Sequence, residues 1–370
     1  MENRLFPFDV LRGLLATWVM IAHVVGRVLS DRTIQNYHLQ AVLEPLIPVY
    51  VFMILSGFVI FYFLDQEYGG YRSFLARRFF RLAPLYFVIL PLSALAVGFE
   101  LRTLHNLPWR NGDIIDSISV HREALVEFWP HLLAHVSLLH GAIPDHILKD
   151  APFTFLSQGW SVSLEWQFYL IAPLIFLLAK AGRYWRVALI VFILAILGTI
   201  HHAVGYLPNQ MHYFAAGILS FYAYRYSSWY AGIRDSFRLL ALLLVFWALY
   251  LWMASPLPWM VWLAAMHVVL TTKANPRSVL SRMSQSPALR WLGEVSYSVY
   301  LIHIPILYVV FAALLRRSTP WEQGDFLLGA LALIVPITLG AAALTHRFIE
   351  RPGIRLGRTL AQRIQNAQKS

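Results

Sequence analysis

Four ionisable side chains occur inside long apolar segments of the sequence, where a charge at the membrane centre costs at least about 2.5–3.5 kcal/mol. They are His23, Glu165, His267 and His303. A neutral histidine can take a proton from a hydroxyl group, and a carboxylate can orient that histidine or bind a hydroxylated ligand. Because such residues are retained at a cost, they are candidates for catalysis or binding.

Arg12 and His23 are eleven residues apart in the first apolar segment. At about 100° per residue, both project from one helix face, which also carries Asp9. A cation near the inner end and a base near the outer end could connect an anionic donor to an acceptor across the membrane. In the alternative interpretation, His23 makes an interhelical hydrogen bond and Arg12 only helps to set the topology.

A second group of cations stands where the third apolar segment begins. Arg77, Arg78 and Arg81 precede Pro84, a residue suited to the first turn of a helix. Cations at this end oppose the helix dipole, and a bound anion would offset that repulsion, so the arginines are candidates for binding phosphate. The alternative is the general excess of basic residues on the cytoplasmic side, in contact with lipid headgroups.

Hydroxyl and aromatic side chains surround Glu165. Their members are Trp160, Ser161, Ser163 and Tyr169. Saccharides present hydroxyl groups and apolar ring faces, so these residues, together with His303, are candidates for binding an acceptor sugar. Aromatic residues also form belts at the membrane interface, which is the alternative interpretation.

Depth along the helices predicts which of these groups can meet. At about 1.5 Å per residue, His23 lies about 20 Å from the inner side and Glu165 about 8 Å from the outer side of a hydrocarbon core about 30 Å thick. The two side chains therefore lie at similar depth, and His303 lies slightly lower. We expect Glu165 to orient His23 or to bind the acceptor.

The sequence gives little support for catalysis by a thiol or by a metal ion. The chain has no cysteine, which excludes disulfides, thiolate metal sites and a cysteine acyl-enzyme. His131 and His135 have the i, i+4 spacing of metal ligands but lack the glutamate that zinc proteases carry between them. No metal site is predicted.

The composition indicates a membrane protein, because 58% of the 370 residues are hydrophobic and only 13% are charged. Transmembrane helices are therefore expected to carry the residues named above. The net charge of +11 would suit nucleic-acid binding, but that requires a soluble basic face, which this sequence lacks. Residues 128–140 are too short and too rich in histidine to cross, which predicts an interfacial or re-entrant helix. The predicted fold is an all-α polytopic membrane bundle with about ten spans, near residues 11–29, 43–63, 82–99, 160–178, 187–203, 211–226, 239–254, 258–272, 292–315 and 326–346.

Placing both termini in the cytoplasm leaves most of the 30 Lys and Arg residues on that side, as the positive-inside rule requires. The predicted organisation is one membrane domain over residues 1–352 and a basic cytoplasmic tail over residues 353–370. The expected location is the inner, or plasma, membrane of a bacterium.

Five motifs at these positions, taken together and in order, resemble the acyltransferase-3 family of membrane acyltransferases. The resemblance runs from about residue 5 to residue 352. The family's Arg and His of the first helix correspond to Arg12 and His23, and its paired arginines correspond to Arg77 and Arg81. The motifs are Phe8–Gly13 with His23, Val51–Ile60, Arg77–Tyr86, Trp160–Tyr169 and Ser296–His303.

The resemblance implies transfer of an acyl group from cytoplasmic acyl-CoA to a hydroxyl group of a saccharide or glycolipid at the outer face. Members include O-antigen, exopolysaccharide and nodulation-factor O-acetylases, so acetyl is the expected group, with succinyl and longer groups left open. In this interpretation His23 is the base, supported by Glu165, and no permanently bound cofactor is needed. The guanidinium groups that would bind the phosphates of coenzyme A belong to Arg12, Arg77, Arg78 and Arg81.

Two other classes remain open from the residues alone. A proton-coupled transporter would also combine about ten spans with buried ionisable groups, although the sequence shows no paired halves. A non-catalytic membrane scaffold would have no use for His23. Membrane lipids are the expected surroundings in each case, and nucleic acid is not an expected partner.

Overall fold

The computed structural model describes residues 5–29, 43–225, 256–275, 278–316 and 321–368. Helices account for all regular structure within these ranges, and no strand occurs there, which confirms the predicted all-α class. The predicted span at 239–254 lies outside the described residues. The α-helices are α1 (Phe6–Val28), α2 (Leu46–Glu67), α3 (Tyr71–Asn106), α4 (Gly112–Val126), α5 (Phe128–Val136), α6 (Gly159–Lys180), α7 (Tyr184–Ile200), α8 (Leu207–Arg225), α9 (Leu257–Ala274), α10 (Val279–Ser284), α11 (Pro287–Leu314), α12 (Gln323–Thr345) and α13 (Arg351–Ala367).

Six described helical segments are long and apolar enough to cross a membrane. The shorter helix α7 is also apolar and exposes Trp185, Phe192 and Ile200, a surface suited to lipid. Helices α8 and α9 cover two further predicted spans but are not among these six. The six segments are Phe6–Val28, Leu46–Glu67, Tyr71–Asn106, Gly159–Lys180, Pro287–Leu314 and Gln323–Ala367.

Helices α1 and α11 run parallel and touch at a pair of glycines. A Cβ added to Gly293 would lie 2.1 Å from the carbonyl oxygen of Asp9, and one added to Gly13 would lie 2.8 Å from the backbone nitrogen of Gly293. No larger residue fits this contact. His23 and His303 each follow their glycine by ten residues, so the glycine contact brings the two histidines to the same level.

Helix α3 begins earlier than the sequence predicts. It starts at Tyr71, and Pro84 lies inside it rather than in its first turn. The expectation that the arginines lie at a helix N-terminus is therefore wrong: Arg78 and Arg81 lie well inside α3, so their guanidinium groups, and not free backbone N–H groups, are available to an anion. The polar residues of 71–81 concealed this start, because they interrupt the apolar pattern used to place the span.

Most of the predicted basic tail forms helix α13, which packs along α3. Gly353 and Gly357 lie against Pro84 and Phe80, where a Cβ would approach side-chain atoms to 2.6 Å. Gln365 Nε2 donates to Ser73 Oγ at 2.8 Å. A π-helical turn, His346–Glu350, joins α12 to α13. Through this turn the tail is connected to the part of α3 that carries the arginines.

The segment predicted as interfacial or re-entrant contains α5, whose nine residues are too short to cross a bilayer. Its two histidines are buried and share Thr154, whose Oγ1 lies 3.1 Å from His135 Nε2 and 3.2 Å from His131 Nδ1. The ring of His135 stacks on that of His140 with centroids 3.9 Å apart. This part of the chain covers α6 at the end where that helix begins.

Candidate active site

Two neighbouring cavities lie among α1, α2, α3, α6 and α11. The first, which we call the arginine cavity, has about 910 Å³ of empty space, including the part open to solvent. The second, the histidine cavity, has about 560 Å³ by the same measure. Val49 and Tyr300 border both. The polar lining of the first includes Arg12, Ser56, Arg78, Arg81, Ser161, Glu165, Tyr169, Ser296 and Tyr297. The second is lined by His23, Arg27, Asp113, Ser157, Gln158, Trp160 and Tyr300, among others.

Arg81 is held at the arginine cavity by Glu350, a carboxylate that the sequence analysis missed. The two side chains form an ion pair, and Glu350 is fully buried. Ser298 Oγ donates to Glu350 Oε2 at 2.9 Å, and His346 Nδ1 lies 3.1 Å from the same oxygen. Glu350 follows the last apolar segment, so depth in a span, the signal used to find buried acids, could not point to it. Its place is set by the π-helical turn.

Arg12 and Arg78 also line this cavity, and neither has a hydrogen-bond acceptor in the described parts of the chain. Arg78 lies over the ring of Phe63, 4.2 Å from its centroid. Rings support a guanidinium but leave its N–H groups without an acceptor. Two guanidinium groups at one cavity therefore have donors to offer an anionic ligand.

Arg77 does not line either cavity. Its Nη1 donates to Glu67 Oε2 at 2.6 Å, and the Glu67 side chain is 61% exposed. One residue further along α3, Arg78 projects from a face rotated by about 100°. The structure thus separates the three arginines that the sequence grouped together.

Glu165 lies at the arginine cavity rather than beside His23. Its Oε1 accepts hydrogen bonds from Tyr169 OH and, at 3.4 Å, from Ser56 Oγ. Trp160, which borders the histidine cavity, is five residues earlier on α6, or about 7.5 Å along the helix. The hydrogen bonds of Glu165 go to Tyr169 and Ser56 and not to His23, so the structure does not support the first expected role, orienting His23, and the second, binding the acceptor, stays a prediction. Residue number predicts how deep Glu165 lies along its helix. Which group it contacts depends on the direction of its side chain, which residue number does not give.

His23 and His303 form a stacked pair, with ring centroids 5.4 Å apart and planes at 27°. Arg27 Nη1 lies 3.2 Å from His23 Nδ1, and Arg27 Nη2 donates to Ser117 Oγ at 3.4 Å. As a cation at the outer end of α1, Arg27 would count in the sequence only toward the topology, yet it is 4% exposed. Its spacing from His23, i to i+4 on one helix, was the signal that could have found it.

Several buried polar atoms around the histidine cavity have no hydrogen-bond partner among the described residues. They include Ser157 Oγ, Gln158 Oε1 and Arg27 Nε, all from residues that line the cavity. Such atoms are normally paired with protein or water. Together with the ring of Trp160, they would suit a ligand rich in hydroxyl groups.

Tyr300 stands between the two cavities. Its hydroxyl group lies 2.7 Å from Ser161 Oγ and donates to the carbonyl oxygen of Gln158 at 3.2 Å. Ser161 is thus placed at the junction, where a group passing from one cavity to the other would meet it.

Besides Arg77, three residues singled out in the sequence do not line either cavity, namely Ser163, His267 and His303. Ser163 Oγ accepts hydrogen bonds from Gly141 N at 3.1 Å and from Gln167 Nε2 at 3.3 Å, and so supports the turn at His140–Ala142. Of the four ionisable residues singled out in apolar segments, His267 is exposed on α9. His303 is buried behind His23, on which its ring stacks.

A family model described as an acyltransferase domain matches residues 7–346. The chain therefore belongs to the acyltransferase-3 family of membrane acyltransferases. This membership favours an enzyme over the transporter and the scaffold.

Similar proteins include two peptidoglycan-related relatives and one acyltransferase of similar length. The peptidoglycan O-acetyltransferase OatA of Listeria monocytogenes is 27% identical over 341 residues, covering 83% of this chain and 51% of OatA. YrhL of Bacillus subtilis is 26% identical over 343 residues, covering 83% and 50%. The acyltransferase MdmB of Streptomyces mycarofaciens is 25% identical over 388 residues, covering 95% and 92%. The chain thus spans about half the length of OatA and YrhL. No solved structure matches it.

Proposed function

We propose that this enzyme transfers an acyl group, with acetyl the expected one, from cytoplasmic acyl-CoA to a hydroxyl group of a saccharide or glycolipid at the outer face of a bacterial plasma membrane. The observation that carries the proposal is the adjacency of a cationic cavity and a histidine cavity across Tyr300. OatA, named a peptidoglycan O-acetyltransferase, supports a saccharide of the cell envelope as the acceptor.

The arginine cavity is the proposed donor site. Coenzyme A carries phosphate groups, which guanidinium groups bind through charge-assisted hydrogen bonds. Arg12 and Arg78 have N–H groups without acceptors, and Arg81 is held in place by Glu350. The wall beyond them is apolar, with Phe52, Met53 and Leu82 among its members. That wall suits the uncharged arm of the donor and its acyl group.

The histidine cavity is the proposed acceptor site. Trp160 offers an aromatic face to a sugar ring, and Ser157 and Gln158 offer oxygen atoms to its hydroxyl groups. Attack by a hydroxyl group on a thioester needs a base for the proton and a donor for the developing oxyanion. His23 lines this cavity and His303 stacks on it, so the two imidazoles are the groups proposed for both needs.

The sidedness of the reaction follows from the proposed topology. With both termini in the cytoplasm, α1 carries Arg12 toward the inner side and His23 toward the outer side. The donor would then enter from the cytoplasm, and the acceptor would bind from outside. The excess of basic residues on the inner side supports this orientation.

The test is acyl transfer by the purified protein in lipid nanodiscs. Radiolabelled acetyl-CoA is supplied with peptidoglycan fragments or N-acetylglucosamine oligomers, and coenzyme A release and labelled saccharide are measured. We expect thiol release that rises when the saccharide is added, together with an ester-linked label on the sugar. No release of coenzyme A with either acceptor would contradict the proposal, and replacing acetyl-CoA by succinyl-CoA tests the acyl group.

A further inference from the structure

The two histidine rings carry their protons on different nitrogen atoms, because their partners allow no other arrangement. A guanidinium group can only donate hydrogen bonds. Arg27 Nη1 lies 3.2 Å from His23 Nδ1, so this nitrogen accepts. A neutral imidazole has one N–H group, and in His23 it is therefore at Nε2.

His303 has the opposite arrangement. Its Nδ1 lies 2.7 Å from the carbonyl oxygen of Tyr300 and 3.3 Å from that of Val299. Carbonyl oxygens can only accept, so Nδ1 carries the proton and Nε2 has the lone pair. Nε2 is buried and has no hydrogen-bond partner among the described residues. A buried nitrogen of this kind normally has a partner, which a ligand hydroxyl group or a water molecule would supply.

The charges around the two rings also indicate which histidine can accept a proton. A base becomes a cation when it takes a proton, and a protonated His23 would stand directly against the guanidinium group of Arg27. A protonated His303 would instead have its Nδ1–H group on two carbonyl oxygens, whose partial negative charge stabilises it. Of the two rings, His303 is the better placed to hold a proton during the reaction.

We propose, on the basis of the acyl transfer proposed above, that His303 Nε2 is the general base and that His23 donates from Nε2–H to the carbonyl oxygen of the donor. His23 lines the histidine cavity and His303 stacks on it with ring centroids 5.4 Å apart, so the two imidazoles lie close enough for the proposal to assign them to one reacting group. This division differs from the sequence-based expectation that His23 is the base.

In a direct transfer, the acceptor oxygen forms a bond to the carbonyl carbon while its proton passes to His303 Nε2. The negative charge that develops on the carbonyl oxygen accepts the hydrogen bond from His23 Nε2–H. Collapse of the tetrahedral intermediate then breaks the C–S bond, and His303 returns the proton to the sulfur atom. The products are the acylated saccharide and free coenzyme A.

The matched variants are His23→Gln and His303→Asn. A glutamine at 23 keeps an N–H group near Nε2 and an oxygen that can accept from Arg27, but it cannot act as a base. An asparagine at 303 keeps the N–H group that bonds to the carbonyl oxygen of Tyr300, and it also cannot act as a base. Each substitution therefore preserves the observed hydrogen bonds and removes proton acceptance.

Turnover is measured with saturating acetyl-CoA and N-acetylglucosamine oligomers. We expect His23→Gln to stay within about tenfold of the wild type, whereas His23→Ala, which removes the donor, falls by roughly 10²–10³. We expect His303→Asn to fall by roughly 10²–10⁴. An amide side chain should thus restore most of the turnover at position 23 but not at position 303.

A loss of more than a hundredfold in His23→Gln, or near wild-type turnover in His303→Asn, overturns the assignment. Thermal unfolding and the KM for acetyl-CoA show that each variant is folded and binds the donor. Should one of the two variants not fold, the other decides the assignment alone, His23→Gln by its retained turnover relative to His23→Ala or His303→Asn by its loss. A wild-type protein that transfers no acyl group from acetyl-CoA would instead contradict the proposed function itself.

Discussion

Three arginines within five residues of α3 end in three different surroundings. Arg77 pairs with exposed Glu67, Arg78 lies over Phe63, and Arg81 pairs with buried Glu350. An exposed ion pair contributes little, because water screens it, whereas a guanidinium group at a half-enclosed cavity interacts more strongly with an anion. The three residues should therefore respond differently to substitution.

Arg78→Ala and Arg81→Ala should each raise the KM for acyl-CoA by roughly 10- to 100-fold, because charge-assisted hydrogen bonds are worth about 1.5–3 kcal/mol. Arg77→Ala is the matched control and should leave the donor's KM nearly unchanged, since its partner is Glu67. Steady-state kinetics with varied acyl-CoA measure this. The acceptor's KM should move little in all three variants, and an effect of Arg77→Ala equal to that of Arg78→Ala would contradict the donor site drawn from the cavity.

At the scale of helices, the contact between α1 and α11 sets the level of the histidine pair. Gly293 lies against the backbone of Asp9, where a Cβ would come to 2.1 Å. The neighbouring atoms are backbone atoms, which cannot move aside without moving the helix. A methyl group at this position must therefore separate the two helices or shift one along the other.

Gly293→Ala should destabilise the protein and lower acyl transfer, even though alanine favours a helix over glycine. We expect a loss of about 1–3 kcal/mol, the usual cost of overpacking. Gly340→Ala is the control, because Gly340 lies in helix α12 with no atom within 4 Å of an added Cβ, and it should be neutral or slightly stabilising. Thermal unfolding and transfer rates measure both, and a neutral Gly293→Ala would refute the close contact.

The turn at His140–Ala142 shows a different effect of packing. Burial lowers the pKa of His140 to about 3 and holds the pKa of His135 well below its ordinary value. Between these values and about 6.5, the unfolded chain binds protons that the folded protein does not. Acid therefore favours unfolding in this range.

Stability should fall as the pH is lowered below about 6.5, by up to about 1.4 kcal/mol per pH unit for each such histidine. Replacing His140 by glutamine should make the fall less steep, because one of the groups that binds a proton on unfolding is gone. Melting temperatures in detergent between pH 7.5 and 4.5 measure the slope. An unchanged slope in His140→Gln would show that His140 is already protonated in the folded protein.

For the whole molecule, the topology decides which cavity faces the donor. The apolar segments and the excess of basic residues predict that the loop between α6 and α7 is cytoplasmic and that the start of α12 is outside. Arg183 and Glu322 are exposed residues at these two places. The chain has no cysteine, so a single introduced thiol reports its own position without background.

Glu322→Cys should be labelled in intact cells by a membrane-impermeant thiol reagent, whereas Arg183→Cys should be labelled only after the cells are opened. The reagent cannot reach a cytoplasmic thiol through an intact bilayer. Mass shifts of the purified variants measure the labelling. The reverse pattern would place the arginine cavity toward the outside and would exclude cytoplasmic acyl-CoA as the donor.

The amino-acid sequence alone predicted the all-α class, the membrane, the family and eight of the residues that line the two cavities. These follow from local properties: runs of apolar residues long enough to cross a bilayer, and the cost of retaining Arg12, His23 or Glu165 in such runs. Equal spacing of His23 and His303 from two glycines was also present in the sequence. This spacing predicts a contact between the two histidines only once α1 and α11 are known to be parallel neighbours.

Which of these groups meet depends on packing between distant segments, and the structure was needed to show it. Glu165 joins the arginines instead of His23, Arg81 pairs with Glu350 from 269 residues further along the chain, and Arg27 turns inward to His23. Depth along a helix is fixed by residue number, but the rotation of each helix and the identity of its neighbours come from packing between distant segments. The positions of the protons on His23 and His303 depend on those neighbours, so they too were decided by the fold.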